Sequence, residues 1–159
     1  MKRRKSAGKA VTIGGIAAVG AIIAFMVLLQ AETARNNEFK RSIDMIATDA
    51  ISLTREYQAE EGRWVGRQHD NRTMVSIIDI YDPRYQALID RAENLPTPEK
   101  YMTARDNLIK AFQAEKESNI HLRNHISTGS PEEYERSIDL VSLSLQYSAE
   151  YDAEMKAAG

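Results

Sequence analysis

Apolar residues follow two patterns along this chain. From Ala10 to Leu29 they are nearly continuous, twenty residues without a charge. From Phe39 onward they return at steps of three and four, with charged residues between them. The first pattern is a helix apolar on every side. At roughly 1.5 Å per residue it would span about 30 Å, the thickness of a bilayer's hydrocarbon core. The second pattern belongs to amphipathic helices packed on one another.

Four such stripes can be traced. Phe39, Ile43, Ile46, Ala50, Leu53 and Tyr57 form the first, and Met74, Ile78, Tyr81, Tyr85, Leu88, Ala92 and Leu95 the second. The third passes through Tyr101, Ala104, Leu108, Ala111, Glu115, Ser118, Leu122 and His125. The fourth runs Tyr134, Ile138, Val141, Leu145, Ser148, Asp152 and Met155. These stripes predict helices at about 36–61, 72–95, 98–127 and 131–157.

Turn residues divide the chain at the same places. Gly62 and Gly66 are expected to end the first helix, and Asn94-Leu95-Pro96-Thr97-Pro98 the second, with Thr97 as the next N-cap. Gly129 closes the third, and Ser130-Pro131-Glu132-Glu133 reads as a capping box. Pro83 should kink the second helix. Short connections make neighbours antiparallel, so the expected fold is all-α: a transmembrane helix followed by an up-down-up-down four-helix bundle. No strong breaker separates Gln30 from Glu61, and the two helices are expected to join, with Asn36-Asn37 as the weak point.

Charge supplies the topology. Lys2, Arg3, Arg4, Lys5 and Lys9 precede the apolar stretch. Residues 1–9 therefore read as a cytoplasmic tail, 10–30 as a single-pass membrane span and 31–159 as an extracytoplasmic bundle at the plasma membrane. The stretch is longer than a signal-peptide core and lacks a small-x-small cleavage pattern, which favours an uncleaved anchor. Removing those five cations from the 21 Lys/Arg leaves 16 against 23 Asp/Glu, a net charge of −7. Such a surface is a poor match for nucleic acid. Cysteine is absent, so neither disulfides nor thiol chemistry contributes.

The candidate sites follow from this layout. With helix 1 leaving the membrane, the 62–72 and 127–130 loops lie at the distal tip, where Trp64, Arg63 and Arg67 form a candidate partner-binding cluster. Trp64 has a second reading, as a cap on the open end of the core. His121 and His125, four apart on one helix, could ligate a metal with His69, although helix-end histidines also serve the C-terminal dipole. No other cofactor is expected. Glu115, Ser118, Ser148 and Asp152 interrupt apolar seams and could line a pocket between helices, with Lys116 or Lys110 as counter-ions. In the opposing register Phe112, Asn119 and Ile126 face inward and Glu115 is solvated. Gly14, Ala17, Ala21 and Ala24 make a small-residue face suited to packing on another membrane helix. Asn71-Arg72-Thr73 is a glycosylation sequon.

No catalytic signature is present: no G-x-S-x-G, phosphate-binding Gly loop or H-E-x-x-H. The expected function is therefore not enzymatic. It is an accessory or interaction subunit, working in the lipid bilayer with other membrane subunits or with itself. A ligand- or metal-binding ectodomain acting through a partner is the alternative. Its layout is similar in outline to the four-helix ectodomains of bacterial chemoreceptors, without their second membrane helix and output domain. Lys9-Ala10-Val11-Thr12 before the apolar helix resembles an archaeal type IV pilin leader, which would imply a filament subunit. The acidic residue near the start of bacterial pilin helices is missing.

Overall fold

The computed structural model describes the backbone from Gly8 onward and side chains from Leu28 onward. Four helices make up the fold: α1 (Gly8–Val65), α2 (Asn71–Glu93), α3 (Met102–Thr128) and α4 (Pro131–Ala157), with a 3-10 turn at Glu99–Tyr101. The bundle is the compact unit Phe39–Gly159, and the chain through Glu38 forms a unit of its own. Among the described residues no helix is long and apolar enough to cross a membrane. The tail at 1–9 and the packing face Gly14, Ala17, Ala21 and Ala24 lie outside the residues whose side chains are described. So does the expected span at 10–30, apart from Leu28, Leu29 and Gln30. No strand occurs among the described residues, so the β-rich head usual in pilins has no counterpart there.

Successive helices run antiparallel, as their cross-links show. Glu56 pairs with Arg84 and Asp49 with Arg91 between α1 and α2. Arg123 reaches Asp79, and Lys116 reaches Asp82 and Gln86, between α3 and α2. Ser118 meets Ser137, and His121 meets Glu133, between α3 and α4. In each set a step forward on one helix is a step back on its neighbour.

The first three stripes form the core as read. All six positions of the α1 stripe are buried, from Phe39 to Tyr57. So are Met74, Ile78, Tyr81, Tyr85, Leu88 and Ala92 of α2. Helix α3 is the most enclosed, burying Asn107, Ile109, Phe112, Asn119 and Ile126 in addition to most of its stripe. Both registers considered for α3 therefore point inward, because its buried face is wider than one stripe. At one end Phe39 stacks on Tyr101 with ring centroids 4.9 Å apart, and Tyr101 donates to the Gly159 carbonyl.

The fourth stripe is rotated out of the core. Tyr134, Ile138, Val141 and Leu145 are exposed, and α4 instead buries Ser137, Leu140, Ser144 and Tyr151. Small side chains explain the rotation. Ser118 donates to the Ser137 carbonyl at 2.9 Å, and Ala111 and Ala114 present little bulk, so α3 and α4 pack closely through serine and alanine.

Several boundaries also differ. Helix α1 passes through Gly62 and ends at Val65. There the amides of Arg67 and Gln68 close onto the Trp64 and Arg63 carbonyls, a Schellman end with Arg67 at the left-handed position (φ 59). Thr97 is not an N-cap: its hydroxyl turns back to Leu95, and Pro98 leads the 3-10 turn. Asp70 caps α2 by accepting from the Thr73 amide at 2.7 Å. Pro83 sits within α2, which continues through it as one element. Ser130 caps α4, but the reciprocal half of the box is missing because the Glu133 carboxylate is bonded to His121 and Asn124.

Candidate functional site: a cavity between α1, α3 and α4

The rotation of α4 leaves a groove open to solvent along the bundle, with Val141 and Leu145 on its exposed rim. A cavity of about 530 Å³ lies between α1, α3 and α4. Its walls are largely apolar, with Ile51 of α1, Leu108, Phe112 and Leu122 of α3, and Val141 and Leu145 of α4. All four polar residues that interrupted the stripes, Glu115, Ser118, Ser148 and Asp152, line it.

Glu115 is held from two helices. Its Oε1 accepts from Thr54 Oγ1 of α1 at 2.7 Å and from the Tyr85 hydroxyl of α2 at 2.9 Å. Burial pushes this carboxyl up from its ordinary value, and the two hydrogen bonds pull partly back. Burial also raises Glu61, another lining residue. The phenols follow the same rule. Tyr57 and Tyr85 are raised by burial and then by nearby carboxylates, and Tyr151 is pushed up to about 12. All three therefore stay neutral at physiological pH.

The expected counter-ions do not serve Glu115. Lys116 pairs with Asp82 and Gln86 on α2, while Lys110 lies over the Tyr147 ring, 5.5 Å from its centroid. Two deeply buried polar groups line the cavity: the Tyr57 hydroxyl has no hydrogen-bond partner, and the Asn119 amide meets the Tyr85 hydroxyl. Leaving such a group unpaired is costly; away from the cavity Asn36 Oδ1 and Asp82 Oδ1 are likewise without a hydrogen-bond partner.

The residues at the tip serve separate local structures. Trp64 is half-buried against the core and donates its indole N–H to Asn71 Oδ1 at 3.0 Å. Arg63 pairs with Glu60, and Arg67 is exposed at the end of α1. His69 Nε2 lies 2.8 Å from the other oxygen of Glu60, whose pKa that contact lowers. His121 Nδ1 lies 2.7 Å from Glu133, and His125 Nδ1 donates to the Ser130 carbonyl. Among the described residues no group of three or more His, Asp or Glu is placed to hold a metal ion. The sequon at Asn71 lies in the first turn of α2 rather than in a loop.

Thr54, Tyr57, Tyr85 and Asn119 complete the site, and of these Asn119 alone was expected as an inward polar group, in the opposing register of α3. Tyr57 and Tyr85 sit on apolar stripes, where an aromatic reads as core, and the meeting of Thr54 and Tyr85 on Glu115 shows only in three dimensions. No protein family, curated protein or solved structure matches the chain.

Proposed function

We propose that this bundle is a ligand-binding module, presented on a membrane by the helix at 10–30 and passing its occupancy to a partner. The observation that carries the reading is the apolar cavity between α1, α3 and α4 with the unpartnered Tyr57 hydroxyl in its wall. A well-formed apolar pocket with a few convergent polar groups is the usual form of a small-molecule site. The occupant has an apolar body and one polar group. The uncharged stretch and its basic flank support the anchor, with the bundle outside the cytoplasm.

The test uses the full chain in lipid nanodiscs and compact apolar probes such as 1-adamantanol. Binding to the folded state at a hundredfold excess over Kd adds about 2.7 kcal/mol and raises Tm by several degrees. Ser148→Phe fills the cavity from an exposed position on α4, and should abolish the shift without unfolding the protein. If no probe shifts Tm, or if the variant responds like the parent, the cavity is not a binding site.

A second reading rests on α4. Tyr134, Ile138, Val141 and Leu145, at spacings of four, three and four, are 46%, 48%, 45% and 67% exposed. An apolar stripe of this kind is suited to a partner helix, which favours an accessory subunit of a membrane complex. Ile138→Asp should then cost co-purification of the partner in mild detergent while leaving the fold intact. A solitary monomer recovered from native membranes contradicts this reading.

A further inference from the structure

Resting on the ligand-binding reading, we propose that the cavity selects an organic cation: an amine or quaternary ammonium on an apolar body, with its charge against Glu115. The wall charges are unbalanced. Glu61, Glu115 and Asp152 line the cavity, and Arg55 is the one cation among its lining residues. An anionic ligand would face three carboxyls, and a neutral one would leave them with Arg55 as their one cationic neighbour.

Three aromatic rings, Tyr57, Phe112 and Tyr151, stand in the same walls. Ring faces attract ammonium groups. The acceptors suit a cation as well. Both hydrogen bonds to Glu115 end on Oε1, so Oε2 is not used by either. The phenol oxygen of Tyr57, only 4% exposed, has no partner. A protonated amine brings donors to both, and a quaternary ammonium, having no N–H, brings its charge alone.

The raised carboxyls agree with this geometry. Burial penalises the charge on Glu115 and Glu61, and a bound cation relieves that penalty. The titratable groups around the cavity are Arg55, Tyr57 and Glu61 of α1, Tyr85 of α2, and Tyr151 and Asp152 of α4. The phenols stay neutral and take no part in titration across the acidic range. Ammonium binding should weaken as pH falls and Glu115 takes up its proton.

Calorimetric titration of the full chain in nanodiscs with 1-aminoadamantane, 1-adamantanol and adamantane-1-carboxylate tests the inference, with empty nanodiscs as the blank. The amine should bind about tenfold or more tighter than the isosteric alcohol, and the carboxylate should not bind. Glu115→Gln keeps an acceptor for Thr54 and Tyr85. It should remove the amine's advantage and its pH dependence while alcohol binding survives. Equal affinity of amine and alcohol, or an amine indifferent to Glu115→Gln, overturns the cation assignment and leaves the cavity reading standing. If none of the three binds, both fall.

Discussion

At the scale of single residues, Glu115 is the most informative position. A charged side chain within an apolar stripe has two sequence readings: an inward polar group or a solvated face. Its chain position raised the question, but the answer needed Thr54 and Tyr85, which are distant in sequence and meet only on one oxygen. The sign of its effect on stability follows from its raised pKa. A carboxyl raised on folding binds its proton more tightly in the folded state, so it stabilises the fold at low pH relative to high. Stability therefore falls as pH rises from the ordinary carboxylate value through the folded one. Glu115→Gln should unfold at higher denaturant than the parent at neutral pH, and the difference should vanish below the ordinary carboxylate range. A variant less stable than the parent at neutral pH would show that the charge is compensated. Tyr85→Phe removes one of the two donors and should cost about 1–3 kcal/mol in denaturant unfolding.

Helices were legible to the extent that their packing is one-sided. The α1 and α2 stripes contained the core residues because each of these helices buries a narrow face rich in Ile, Leu, Met and Tyr. Helix α4 departs from its stripe because Tyr134, Ile138, Val141 and Leu145 are exposed, while two of its four buried residues are serines. Close packing on α3 selected serines, and hydrophobic periodicity carries no sign of such a preference. The end of α1 misled differently. Two glycines marked the stop, yet the left-handed residue is Arg67, held by backbone bonds to Trp64 and Arg63. A side chain at φ 59 carries a conformational cost that glycine does not, so Arg67→Gly should stabilise the protein by about 0.5–1 kcal/mol. Equilibrium unfolding would detect it. The core of α1 should respond in the other direction: Ile43 is fully buried, and Ile43→Ala should cost about 2–5 kcal/mol.

For the molecule as a whole, the bundle's end opposite Phe39 collects the 66–70 and 129–130 connections, as topology predicted. The histidines and tryptophan near that end serve caps and ion pairs, and the cavity lies instead along the bundle's flank. Residue rarity pointed to the tip, but the space between helices depends on which residues are missing from a packing layer. That information lies in how α1, α3 and α4 meet and cannot be read along one helix. The central claim is that this space receives a ligand. Methyl-labelled NMR of the full chain in nanodiscs, titrated with 1-adamantanol, tests it most directly. Shifts are expected only at Ile51, Leu108, Leu122, Val141 and Leu145, which line the cavity. Shifts at the outward-facing Ile80 of α2 instead, or none at saturating probe, would contradict it.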